Sequence, residues 1–123
     1  MSIFTAAGFD QFASALEATT LHNQWGSRLA KIGGKIYAVY SEASIPAPTI
    51  AFKCSRESFE VLTAVEGIGQ APYFARGQWV AASAIANLPE EELCERIALS
   101  YQIVRDLLPR KQLSKLGLVA TSV

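Results

Sequence analysis

The pair Gly33-Gly34 constrains this chain more than any other feature. It joins two strand-like runs, Ser27 to Ile32 and Lys35 to Tyr40. Two consecutive glycines reach the positive φ angles of a two-residue turn without steric cost, so the pattern predicts a tight antiparallel hairpin. Pairing across that turn places Arg28, Ala30, Ile32, Lys35, Tyr37 and Val39 on one face. Ser27, Leu29, Lys31, Ile36, Ala38 and Tyr40 fall on the other. Each face carries basic and apolar side chains, so alternation alone does not say which is buried.

The remaining segments supply what the hairpin packs against. Phe9, Phe12, Ala13 and Leu16 recur at helical spacing between Thr5 and Thr19, with Thr5 as the N-cap. Thr49 to Cys54 alternates as a third strand. Ser55 then caps a helix through about Glu66, and Gly67 ends it. Gln70 to Ala84 reads as a loop leading into a fourth strand at Trp79-Val80-Ala81-Ala82. Asn87-Leu88-Pro89-Glu90 opens the longest helix with an Asn cap, an early proline and a capping-box glutamate. Its apolar stripe is Leu93, Ile97, Tyr101, Val104 and Leu108, and Pro109 stops it; Arg110 to Leu118 adds a short basic helix. The expected order is α-β-β-β-α-β-α, an α+β sandwich with an antiparallel sheet and helices on one face. At 123 residues, 50% hydrophobic and 18% charged, this is one domain spanning 1–123, and disorder is excluded.

Eleven Lys+Arg balance eleven Asp+Glu, so the net charge is zero and only the distribution of charge can point to a polyanion. No apolar run approaches the roughly 20 residues of a membrane helix, and no basic-then-apolar leader opens the chain. A cytoplasmic protein without membrane contact, most simply a monomer, is expected. Cys54 and Cys94 lack Cys-x-x-Cys spacing and His22 is the single histidine. Four Cys/His ligands for structural zinc cannot be assembled, so both thiols are expected reduced and no metal or cofactor is expected.

Three single motifs bear on catalytic, phosphate-binding or metal chemistry. Gly33-Gly34-Lys35 lacks the G-x-x-x-x-G-K-[ST] frame of a phosphate loop and precedes no helix. Cys54 stands just before a helix start, where the dipole can lower a thiol pKa, with His22 as its conceivable base; no nucleophile-elbow motif surrounds it, and a packing role is expected. Glu90, Glu91, Glu92 and Glu95 occupy the first turns of a helix, where carboxylates suit the macrodipole, and read as a solvated helix start.

Local charge is more informative than its sum. From His22 to Arg56 the chain has Arg28, Lys31, Lys35, Lys53 and Arg56 against Glu42 alone, interleaved with Trp25, Tyr37 and Tyr40. Arg76 and Trp79 follow near the fourth strand. A basic sheet surface with aromatics can neutralise phosphates and stack on sugars or bases.

Several short motifs then resemble the MmcQ/YjbR family in order: Trp25-Gly26, the hairpin Lys31-Ile32-Gly33-Gly34-Lys35-Ile36-Tyr37-Ala38, Phe52-Lys53-Cys54, Ala71-Pro72-Tyr73, Trp79-Val80, Ser100-Tyr101 and Leu108-Pro109-Arg110-Lys111. The resemblance spans about Phe9 to Lys111. Two positions depart from it: Ala30 stands where an aromatic residue usually precedes the hairpin lysine, and Arg56 where a proline is frequent. The resemblance implies a frataxin-like (CyaY-like) α+β fold and DNA binding through the sheet in a double-wing arrangement, with no enzymatic activity and no cofactor. Iron binding of the frataxin kind would need an acidic first helix, and only Asp10 and Glu17 are offered there. The expected phosphate contacts are Arg28, Lys31, Lys35, Lys53, Arg56 and Arg76, with Trp25, Tyr73 and Trp79 as aromatic contacts. The alternative is a protein- or small-ligand-binding domain in which Trp25, Tyr73, Trp79 and Tyr101 build a pocket or the core. Whether the basic side chains converge on one surface separates the two.

Overall fold

The computed structural model describes residues 2–118, so residues 1 and 119–123 of the expected span 1–123 lie outside the described residues. Ten elements follow in chain order: α1 (Ala6–Ser14), β1 (Thr19–Gln24), β2 (Ser27–Ile32), β3 (Lys35–Ser41), β4 (Thr49–Lys53), α2 (Arg56–Thr63), β5 (Ile68–Gln70), β6 (Trp79–Ser83), α3 (Glu90–Asp106) and α4 (Arg110–Lys115). The strands form one antiparallel sheet in the order β1-β2-β3-β4-β6-β5. The fold is α+β with its helices on one face, as the periodicities predict.

Gly33 and Gly34 make the expected two-residue turn, with φ of 58° and 80°. The pairing Ile32↔Lys35 closes the hairpin at that turn. Two strands join the expected four. β1 is an edge strand in which Leu21 is the one large apolar residue, and β5 is three residues long. The first helix accordingly ends at Ser14 rather than Thr19. Thr5 caps it as expected, its Oγ1 accepting from the Gly8 amide at 3.0 Å, and a Cβ at Gly8 would overlap the Ser2 carbonyl oxygen.

The expected face assignment of the hairpin fails beyond its middle. A β-bulge shifts the register between Ala30 and Lys31, so that Ala30 pairs with Ala38 but Lys31 with Ile36. The extra residue, Tyr37, turns to the same side as Ala38 and Tyr40. Arg28, Ala30, Ile32, Tyr37, Ala38 and Tyr40 therefore face the helices, while Leu29, Lys31, Ile36 and Val39 lie on the open face.

The main core is the space between the sheet and α1, α2 and α3. Phe9, Ile32, Tyr37, Phe52, Val80 and Ile97 are wholly buried in it. A second, smaller cluster of Ala51, Ala71 and Trp79 lies on the open face, with Ile36, Val39, Phe74 and Ala81 partly covering it. The stripe Leu93, Ile97, Tyr101, Val104 and Leu108 is buried as expected. The start of α3 is not as expected: Pro89 sits at the N-cap and no side chain caps the helix. Asn87 stands two residues before the N-cap position and does not cap the helix. The Glu90 carboxylate instead accepts from Ser2 Oγ at 2.9 Å and Ile3 N at 3.3 Å, tying the N-terminal segment to α3.

From α1 to α3, each element reverses the direction of the one before it. The chain connections thus fall alternately at two ends of the sheet. One holds the Gly33-Gly34 turn and is called the hairpin end; the far end holds the Trp25-Gly26 turn.

Candidate nucleic-acid interface

Register places the sequence-flagged cations. β4 ends at Lys53, which pairs with Trp79, the first residue of β6. Because β3 and β4 are antiparallel, this edge is the hairpin end. Lys31 and Lys53 lie on the open face there, and Lys35 begins β3 beside the turn. Arg56 is the first residue of α2, immediately after the Ser55 N-cap, whose Oγ accepts from Ser58 N at 3.1 Å. Arg76 belongs to the loop between β5 and β6. The Arg56 guanidinium reaches to within 3.8 Å of the point where a Cβ on Gly77 would stand, so α2 and this loop meet. Gln70 ties the loop down: its Oε1 accepts from Gly77 N at 2.9 Å and its Nε2 donates to Ala71 O at 2.8 Å.

Five of the six candidate cations therefore meet at one end. Arg28 does not. It lies on the helix face toward the far end, in a two-pronged pair with Asp10: Nε to Oδ1 at 2.9 Å and Nη2 to Oδ2 at 3.0 Å. Its third hydrogen bond, from Nη1, goes to Asn23 at 3.1 Å. The hydrogen bond to Asp10 raises the guanidinium pKa, and the group is neutralised locally. Among the described residues, Lys31, Lys35, Lys53, Arg56 and Arg76 form no ion pair. Lys53 donates to Gln78 Oε1 at 3.0 Å and sits 5.9 Å from the Trp79 ring centroid.

The aromatic candidates divide three ways. Trp79 is buried and stacked on Phe74 at 4.2 Å, so it supports Lys53 from beneath and offers no face to a base. Tyr73 is fully exposed at the hairpin end with φ +69°, a conformation that costs a bulky residue free energy. Trp25 is also exposed, with φ +54°, but stands at the far end, roughly 20 Å from Lys31 along β2. Tyr101 belongs to the core; its ring meets Tyr37 edge-on at 5.3 Å and its hydroxyl donates to Glu17 O at 2.6 Å. The four aromatics of the pocket alternative are thus dispersed.

Two features escaped sequence reasoning. Gln112 Nε2 donates to Gly33 O at 2.9 Å, which brings α4, with Arg110 and Lys111, beside the hairpin turn. The basic run after Pro109 was visible, but nothing in it announced where it would pack. The second is Ser100, wholly buried, whose Oγ accepts from Lys53 N at 2.9 Å and donates to Tyr37 O at 2.7 Å. In the β3–β4 register Tyr37 stands opposite Lys53, one position beyond the last pair, Ala38↔Phe52. The hydroxyl takes the place of the missing rung and fixes the backbone that carries Lys53.

The nucleophile reading finds no geometry. Cys54 is buried on the helix side after β4, whereas His22 is exposed on the open face of β1, bonded to Thr20 Oγ1 at 2.8 Å. Three strand spacings, about 14 Å, separate them. Burial pushes the Cys54 thiol up, and the Arg96 and Lys53 charges offset this only in part. Both cysteines are free thiols. Of the clustered glutamates, Glu90 holds the N-terminal segment and Glu92 pairs with Arg96 at 3.6 Å. No helix among the described residues is long and apolar enough to cross a membrane.

No curated protein matches the chain. Among solved structures it is similar to protein DR2400 of Deinococcus radiodurans, which carries a DUF419 domain: 19% identity over 96% of this chain and 91% of that one, with a TM-score of 0.83. A Pseudomonas syringae protein is similar at 18% identity over 81% of this chain and 98% of its own, with a TM-score of 0.68. These likenesses establish the fold. A family model described as YjbR matches residues 14–103, from the last residue of α1 through most of α3 and across the whole sheet, so the chain belongs to the YjbR family.

Proposed function

We propose that this chain is a non-enzymatic, cytoplasmic DNA-binding protein that grips phosphates with the hairpin end of its sheet. The convergence there of Lys31, Lys35, Lys53, Arg56 and Arg76, none of them ion-paired among the described residues, carries the reading. A chain of zero net charge can hold a polyanion only through such a local patch. Arg110 and Lys111 extend the patch past the hairpin turn, and Tyr73 is the aromatic ring available to lie against a sugar or base. The separation of Cys54 from His22 supports binding without catalysis, and free thiols suit a reducing compartment.

The test is fluorescence anisotropy with a labelled DNA duplex over a series of salt concentrations. Each neutralised phosphate contributes about 0.9 to the slope of log affinity against log salt, so three or four contacts give a slope of roughly −3 to −4. Lys35→Ala with Lys53→Ala should bring the slope about two units nearer zero and weaken all sequences alike. Arg28→Ala should leave the slope unchanged, because Arg28 faces Asp10 rather than the patch. Absence of binding to duplex or single-stranded DNA at low salt refutes the proposal.

A further inference from the structure

The far end of the molecule is the chemical counterpart of the hairpin end. Its connections present Trp25, Ile45 and Ile85, which are 81%, 94% and 69% exposed. Each is the tip of a separate connection: β1–β2, β3–β4 and β6–α3. Ser27 and Ser41 bond at 2.9 Å, and Ala84 N donates to Pro48 O at 2.8 Å, so the three connections are neighbours along one edge. Acidic residues surround them. Glu42 follows β3, Glu66 precedes Gly67, whose carbonyl accepts from Ser83 N at 2.9 Å, and Glu90 and Glu91 open α3. The hairpin end carries the unpaired cations and has exposed apolar groups of its own, Tyr73 and Leu107.

We propose that the two ends are complementary, and that the chain associates head to tail with a second copy of itself. The apolar, acid-rimmed tips of one copy would seat on the cationic hairpin end of the next. Charge complementarity selects this occupant: the acidic rim disfavours an anionic lipid surface, and two far ends facing each other would oppose acid to acid. The contact joins unlike surfaces at opposite ends of the molecule, a heterologous arrangement that stacks copies end on end, and short open chains result. Three tips of this size supply on the order of 400–500 Å², against roughly 800 Å² per partner in a stable interface, so the association is weak and salt-sensitive. It does not depend on DNA binding, but DNA would compete for the same end.

Sedimentation velocity at low salt, between about 20 μM and about 1 mM, should show a rising weight-average mass for the wild type, suppressed by added salt. Two variants then separate the surfaces. Trp25→Asn, Ile45→Ser and Ile85→Ser together remove the tips; Arg56→Glu with Arg76→Glu reverses the hairpin end. Their circular dichroism and melting should match the wild type, since all five positions are exposed. Each variant alone should remain a monomer, and their equimolar mixture should give a dimer that grows no further, because each supplies the surface the other lacks. A wild type that stays monomeric throughout overturns the proposal. So does undiminished self-association of either variant alone, which would mean like surfaces pairing or a different interface.

Discussion

Ser100→Ala would remove the hydroxyl that stands between β3 and β4 where their direct ladder ends. Alanine keeps the helix and nearly the same volume, so what is lost is one acceptor for Lys53 N–H and one donor to Tyr37 C=O. Ser100 is wholly buried and water has no easy route to either group. A buried polar group left without a partner costs about 1–3 kcal/mol, the amide more than the carbonyl, because a carbonyl has a second lone pair. The sum is about 2–4 kcal/mol. At this chain length 1 kcal/mol shifts Tm by about 4 °C, so a loss of roughly 8–16 °C is expected by calorimetry. Ser114→Ala, an exposed hydroxyl on α4, should change Tm by less than about 2 °C. Hydrogen exchange at the Lys53 amide isolates the rung from any packing defect: protection there should fall more than at the neighbouring Phe52. A Tm within about 2 °C of wild type, or unchanged Lys53 protection, would refute the reasoning, since the strands would then be closing the rung themselves.

Three further outcomes follow from local geometry. A Cβ on Gly33 would stand 2.8 Å from Leu108 Cδ1 and 2.9 Å from Gln112 Nε2, whereas one on Gly34 meets nothing within 4 Å. Both substitutions bear the positive-φ cost, so denaturant unfolding should find Gly33→Ala less stable than Gly34→Ala by about 1–2 kcal/mol. Burial pushes Tyr37 up to about 12, with the Thr19 hydrogen bond opposing. The unfolded chain loses that proton from about pH 10 while the fold retains it, so stability is full below pH 10 and falls by about 2–3 kcal/mol as pH approaches 12; Tyr37→Phe should reduce the fall. The raised, buried Cys54 thiol should react with iodoacetamide at neutral pH far more slowly in the native chain than in denaturant, and equal rates would contradict its burial.

What the sequence disclosed follows from how local each signal is. The Gly33-Gly34 turn is dictated within two residues; β2 spans the expected residues, and β3 runs one residue further than expected, to Ser41. The caps at Thr5 and Ser55 are hydroxyls three residues from the amides they bind, again a local matter. β1 escaped notice because an edge strand with Leu21 as its one large apolar residue has no alternation to read, and its pairing depends on β2. The bulge at Tyr37 has no signature either, yet it inverts every face assignment after it. Tyr37 and Tyr40 both reach the core although three residues apart, which period-2 reasoning forbids. The Asn87 cap failed for another reason. Glu90 is taken up by Ser2 and Ile3, and a contact across 88 positions outweighed a local motif worth about 1 kcal/mol.

The candidate site was half visible for a topological reason. Because the elements from α1 to α3 alternate in direction, connections alternate between the two ends, and α4 folds back beside the hairpin turn. Lysines and arginines flank β2–β3, β4–α2 and β5–β6 and follow Pro109; neutral, apolar and acidic residues occupy β1–β2, β3–β4, α2–β5 and β6–α3. With Glu17 in the α1–β1 connection as an exception, an alternation of loop chemistry along the chain thus becomes a separation of charge across the molecule, while the net charge stays zero. Composition sees only the cancellation. Listing cations by proximity in sequence catches Lys31, Lys35, Lys53 and Arg56, but it also gathers Arg28, which the same alternation carries to the far end and Asp10 neutralises. The same alternation places Trp25 at the far end, away from the basic patch. A polyanion approaching this molecule would meet a field that attracts at one end and repels at the other, so under the proposed DNA-binding function the fold itself would orient the duplex before any contact forms.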